Sequence, residues 1–242
     1  MATKPTVLIT GGTSGLGLGV AEELSNDYHL VNLSRSKPDD SVSGLFECSI
    51  EIDLLGDESS IKTSLRTLKG VVKPFCAFVA CSGIQKIAPI TSIRESDLHD
   101  LFRLNVFSNV FLIKNLLRLG MIADGASLVL MSSISAEKPD IGLASYSMTK
   151  AAIDNFVKVA SLELADRSIR VNSIRPGMIQ TPMILNERAY TRAFIAQEMV
   201  KYKLGPGKPD DVAALVKFLI SDSSRWLTGQ NITLDGGRSL SG

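Results

Sequence analysis

The chain has 242 residues, 45% of them hydrophobic, and sets 26 Lys and Arg against 25 Asp and Glu for a formal charge of +1. That length can bury one sizeable core, and near-neutrality leaves no electrostatic excess for gripping a phosphate backbone, so no nucleic-acid partner is expected. No apolar run approaches the roughly 18 to 20 residues that span a bilayer, and the first residues lead into an apolar strand without a signal-peptide core, so the protein is expected to be soluble, cytoplasmic and away from membranes. Cys48, Cys76 and Cys81 are too few for a disulfide framework. His29 and His99 stand at no metal-ligand spacing, so no metal site is expected.

Short β-branched runs alternate with stretches of helical period, the pattern of a parallel sheet covered by helices on both faces. Residues 6–10 form the first strand, followed by a glycine-rich turn and a helix to about Ser25. Strands follow at residues 29–33 and 46–52, with residues 63–68 inside the next helix and a fourth, continuously apolar strand at 76–80. From 94 to 119, Leu98, Leu101, Phe102, Val106, Val110, Ile113 and Leu117 recur at three- and four-residue steps and predict one long amphipathic helix. A strand at 127–132, a helix at 145–164 and a strand at 170–174 come next; Pro209 opens a helix to Leu219, and residues 231–234 close as a seventh strand. The expectation is an α/β protein: a three-layer, doubly wound, Rossmann-type sheet of seven parallel strands in a single domain over residues 1–242. The less periodic residues 181–208 are expected to form a substrate lid within that domain.

The first turn runs Gly11, Gly12, Thr13, Ser14, Gly15, Leu16, Gly17 between a strand and a helix. Glycines there permit positive φ and close approach of a pyrophosphate, which the helix N-terminus attracts through unpaired N–H groups. At the end of the second strand stand Ser34 and Arg35, where an acidic residue would bind a free ribose 2′-hydroxyl. A guanidinium beside a hydroxyl suits a 2′-phosphate, so NADP(H) is expected in preference to NAD(H).

Tyr146 and Lys150 lie four residues apart on a predicted helix, so phenol and ammonium share one face about 6 Å apart along the axis. The positive charge favours phenolate. Ser133 follows the fifth strand, in the crevice where doubly wound sheets bind ligands. Together with Pro176-Gly177, the segment 227–230 and Asp235-Gly236-Gly237, these motifs in this order make the whole chain resemble a short-chain dehydrogenase/reductase. The resemblance implies a catalytic tetrad: Tyr146 as general acid or base, Lys150 lowering its pKa and binding the nicotinamide ribose, Ser133 holding the substrate oxygen, and Asn105 holding a water that links Lys150 to solvent. It also implies that Asp53 and Leu54 flank the adenine, that Cys81, Ser82 and Gly83 border the cofactor, and that Pro176, Gly177, Ile179 and Thr181 contact the nicotinamide amide. One departure is clear: the family's N-N-A-G after the fourth strand is Ala80-Cys81-Ser82-Gly83 here, which removes two bracing asparagines.

The expected activity is NADP(H)-dependent hydride transfer between nicotinamide and a carbonyl or secondary alcohol, with a 3-oxoacyl thioester, carried on an acyl carrier protein, as the first substrate class. A free ketone, sugar or other alcohol is the alternative within enzymes, and a non-catalytic dinucleotide-sensing regulator the alternative outside them. By resemblance Arg167 matches a carrier-docking arginine, whereas Asp124 replaces a second one. The lid offers Met178, Met183, Ile184, Leu185, Tyr190, Phe194 and Met199 for a partly apolar pocket. The resemblance further implies a homotetramer or homodimer built on the two long helices.

Overall fold

Strands that are apolar on both faces need cover on both faces, and a parallel sheet sandwiched by helices provides it. The structure, a computed structural model, describes residues 4–185 and 192–240. Its strands are Thr6–Thr10 (β1), His29–Ser34 (β2), Cys48–Glu51 (β3), Phe75–Ala80 (β4), Ile122–Met131 (β5), Arg170–Pro176 (β6) and Asn231–Leu234 (β7). All pair in parallel, in the order 3-2-1-4-5-6-7. The helices are Gly15–Leu24 (α1), Glu58–Leu68 (α2), Glu95–Phe102 (α3), Ser108–Arg118 (α4), Ala144–Glu163 (α5), Pro182–Leu185 (α6), Arg192–Met199 (α7) and Pro209–Ile220 (α8).

Alternation along β1 divides the core. Leu8 packs with Leu65 of α2, Leu112 of α4 and Ile153 of α5, whereas Val7 and Ile9 pack with Val20 of α1 and Val216 of α8. Each such fully buried aliphatic side chain contributes about 1.5–3 kcal/mol. The strand order reverses between β1 and β4, and this opens a crevice at the carboxyl ends of the strands.

Two expectations need correction. The helix read over 94–119 is interrupted by a π-turn at Arg103–Phe107, in which the Ser108 N–H bonds the Arg103 carbonyl. Asn105 sits in that turn with its side chain tied to the backbone of Ile84, and the Asn109 amide side chain donates to the Asn105 carbonyl at 2.9 Å. One inserted residue leaves apolar spacing nearly unchanged, so periodicity does not reveal it; such turns concentrate at functional sites. Strand β5 begins at Ile122, not Ser127: its register with β4 shifts between Phe75↔Ile122 and Ala77↔Ser127, and Gly125 within that stretch takes φ 79°.

The segment 181–208 carries α6 and α7. Tyr190, and the side chains of Leu185 and Phe194, lie outside the described residues. Among the described residues no helix is long and apolar enough to cross a membrane.

Candidate active site

The glycine turn is built for close approach. Gly11 (φ 70°) donates to the Leu33 carbonyl at 2.8 Å, and Gly15 (φ 54°) opens α1. A Cβ on Gly17 would stand 2.1 Å from the Gly11 carbonyl oxygen, so a side chain there would displace the turn itself. Gly17 thus acts from behind the crevice, whereas Gly11, Thr13, Ser14, Gly15 and Leu16 line it. The Ser14 side chain makes no capping bond, and the first N–H groups of α1 remain available to an anion. This cradle fits the pyrophosphate of a dinucleotide.

A buried asparagine that the sequence reading passed over braces the turn. Asn32 Oδ1 accepts the Gly12 N–H at 2.9 Å, while its amide donates to Ser34 Oγ at 2.9 Å and Ser49 Oγ at 2.8 Å. The signal was there to find, since an amide inside an apolar parallel strand must have buried partners. Ser34 in turn donates to the Ser36 carbonyl at 2.7 Å, which shapes the loop carrying exposed Arg35 at the crevice. Leu54 lines the crevice beside Ile52, but Asp53 does not; its carboxylate accepts the Leu55 N–H at 3.0 Å.

The turn after β4 lacks the family's asparagines and is held from other elements. Thr10 Oγ1 accepts the Ser82 N–H at 3.1 Å. Asn105 Oδ1 accepts the Ile84 N–H at 2.9 Å, and its amide donates to the Ile84 carbonyl at 2.9 Å and to Thr149 Oγ1 at 3.1 Å. Thr149 passes the constraint on by donating to the Tyr146 carbonyl at 2.7 Å. The Asn105 side chain is therefore committed to this scaffold. Cys81, Ser82 and Gly83 line the crevice, and burial pushes the Cys81 thiol up to about 12, which leaves it an inert wall at neutral pH.

A second pocket adjoins the first; Leu16, Thr181 and Met183 line both. Ser133 and Tyr146 face into it, together with Pro176, Gly177 and Ile179. Ser133 Oγ accepts the Ser135 N–H at 3.2 Å, a contact that orients the hydroxyl at the head of a short 3₁₀ turn. Lys150 is buried, donates to the Met131 carbonyl at 2.8 Å and holds its Nζ 5.4 Å from the centre of the Tyr146 ring. Burial pulls its pKa down from 10.5 to about 8, against the opposing pull of Asp154 one turn further along α5. Asp154 is itself buried, accepting from Ser173 Oγ at 3.0 Å and Arg175 Nε at 2.7 Å. Far from both pockets, at the start of β5, Arg167 donates to Asp124 Oδ1 at 2.7 Å and to the Ile122 carbonyl at 2.8 Å.

Residues 11–239, nearly the whole of the chain, match a protein-family profile described as Enoyl-(Acyl carrier protein) reductase. The solved structure of a short chain dehydrogenase family protein from Francisella tularensis superposes with a TM-score of 0.87 at 27% identity, covering 98% of this chain and 100% of that one. The chain belongs to the short-chain dehydrogenase/reductase family. Within the family it is 32% identical to a diacetyl reductase [(S)-acetoin forming] of Staphylococcus epidermidis, over 96% of this chain and 97% of that one. It is 27% identical to a 3-oxoacyl-[acyl-carrier-protein] reductase of Buchnera aphidicola, over 97% of each. The family's oxidoreductases act on alcohols and carbonyls with a nicotinamide cofactor. The glycine cradle, the Ser133 turn and the Tyr146 face of α5 of this member meet at one crevice.

Proposed function

We propose that this chain is an NADP(H)-dependent carbonyl reductase, equally an alcohol dehydrogenase in reverse, acting on a free small carbonyl compound with a partly apolar body. The observation that carries this reading is the continuity of the two pockets: a dinucleotide cradle opens directly onto Ser133 and Tyr146. Gly11, Thr13, Ser14 and Gly15 would hold the pyrophosphate, Leu54 and Ser82 would flank the adenosine, and Ile179 and Thr181 would meet the carboxamide. The nicotinamide, when bound, supplies or accepts the hydride. Tyr146 gives its phenolic proton to the carbonyl oxygen, or takes one from the alcohol. Ser133 donates a hydrogen bond to the same oxygen, and the Lys150 ammonium stabilises the phenolate that Tyr146 becomes.

Arg35 supports the NADP(H) preference, since among the described residues it is the charged side chain lining the nucleotide crevice. A 2′-phosphate would gain a charge-assisted contact there. Arg35→Ala is expected to reduce the NADPH-over-NADH preference in kcat/KM by about tenfold or more, and an unchanged ratio would remove Arg35 from the reading. Arg167 favours a free substrate over a carrier-bound one, because its guanidinium is already paired with Asp124. The 3-oxoacyl thioester stands as the second reading, favoured by the likeness to the Buchnera aphidicola enzyme along nearly the full chain. Exposed Phe107 before α4 and exposed Val159 and Leu162 on α5 support a homo-oligomer formed through these helices.

The test is a panel of ketones, diketones, sugars and acetoacetyl thioesters, followed at the nicotinamide absorbance with each cofactor. NADPH oxidation by small free carbonyls is expected. A chain that binds NADPH and reduces nothing in the panel is a nucleotide sensor and not an enzyme.

A further inference from the structure

Tyr202, which follows α7, is buried against the turn after β6. Its ring occupies space that only a glycine leaves free, since a Cβ on Gly177 would lie 2.6 Å from Tyr202 Cε1. Its hydroxyl oxygen accepts the Met178 N–H at 2.7 Å. A phenol both accepts and donates, so this bond occupies the oxygen as acceptor and leaves the proton to be given elsewhere. Tyr202 borders the pocket that holds Ser133 and Tyr146. Burial raises its pKa above the ordinary value of 10.0, so it carries that proton throughout the neutral range.

In the function proposed above, on which this inference rests, Ser133 and Tyr146 both serve the reacting oxygen. A simple ketone has no second oxygen for another hydroxyl to bind, and a buried donor left unpaired is a standing cost. We propose that Tyr202 is a specificity-determining residue that donates its hydrogen bond to a second oxygen on the carbon next to, or one removed from, the reacting carbonyl. The pocket therefore selects 1,2- and 1,3-dioxygenated carbonyl compounds over simple ketones. Discrimination of this kind is strong where the wrong substrate displaces water from the donor and leaves it unpaired.

The experiment compares 2,3-butanedione with 2-butanone in wild type and Tyr202→Phe, a variant that keeps the ring packed on Gly177. Because the diketone is intrinsically the more reactive, the quantity read is the ratio of their kcat/KM values. That ratio should drop about ten- to hundredfold in the variant. An equal loss on both compounds, or a loss carried by KM for NADPH, overturns the proposal and makes Tyr202 a packing or cofactor residue. Calorimetry on the wild-type NADPH complex provides a test without turnover or mutation: 2,3-butanediol should bind at least about tenfold more tightly than 2-butanol. Equal affinities overturn the proposal. If the wild-type chain reduces neither ketone, the proposed function fails, while the two alcohols still decide the role of Tyr202.

Discussion

The nucleotide half and the substrate half of the crevice are held in place by different means. The nucleotide half is made of strand ends and the turns that leave them, fixed by backbone contacts and three buried polar side chains, Thr10, Asn32 and Asn105. The substrate half is bordered by α6 and α7, and among the described residues their segment is held by side chains as well as by backbone bonds from Gln180 to Gly207 and from Leu204 to Gly236. Glu198 of α7 pairs with Arg238 at 3.3 Å and also with Lys201, and Tyr202 bonds Met178. A site made of backbone tolerates sequence change and keeps one ligand; a site made of side chains changes specificity with a few substitutions. This contrast accounts for a family that shares a cofactor and differs in substrate.

The contrast can be broken from either side. The largest effect is expected from Gly17→Val, because even a Cβ at that position meets the Gly11 carbonyl at 2.1 Å. NADPH binding by calorimetry should be lost while circular dichroism still reports a folded α/β chain. Retained affinity within tenfold would show that the turn yields and that the cradle is not rigid.

Lys150 lies where the two halves meet. Lys150→Met should reduce kcat by about 10²-fold or more, since the charge that supports the Tyr146 phenolate is gone. It should also raise stability near pH 7. A lysine whose folded pKa is depressed to about 8 binds fewer protons folded than unfolded between that value and 10.5. Wild-type stability then rises with pH across that window, and below it the folded state carries the whole cost of burying the charge. The variant's advantage, of order 1 kcal/mol after loss of the bond to the Met131 carbonyl, should shrink as pH climbs from about 8 toward 10.5. Denaturant melts at pH 7 and pH 10 check it, and an advantage that grows with pH contradicts the assignment.

The smallest effect is expected in the lid. Glu198→Gln weakens the ties to Arg238 and Lys201 and should raise KM for the carbonyl substrate about threefold, roughly the scale of one partly buried ion pair, with less change in KM for NADPH. An effect confined to NADPH would erase the distinction between the halves.

Legibility in the sequence followed the same division. Strands β1 and β7 and the Gly11–Gly17 spacing were readable, because strand period and glycine placement are local properties. Lys150 and Tyr146 were readable as one helical face. The π-turn around Asn105 was not, because one inserted residue leaves the apolar spacing nearly unchanged and the Asn105 side chain finds its partner at Ile84, distant in the chain. Nor were the bonds from Thr10 and Asn105 that hold the turn after β4, whose partners are set by the fold. Asp53, expected beside the adenine, accepts the Leu55 N–H in its own turn, a bond that only the fold reveals, while Ile52 and Leu54 line the crevice. Arg167, read as a docking residue, faces Asp124, a pairing visible only once α5 and β5 are placed together.

The central claim is that Tyr146 transfers the proton, and substitution by phenylalanine tests it most directly. Single-turnover reduction of a reactive diketone by the NADPH complex should slow by about 10²- to 10⁴-fold in Tyr146→Phe, with NADPH affinity and thermal stability close to wild type. A variant that reduces the diketone at near the wild-type rate would contradict the account.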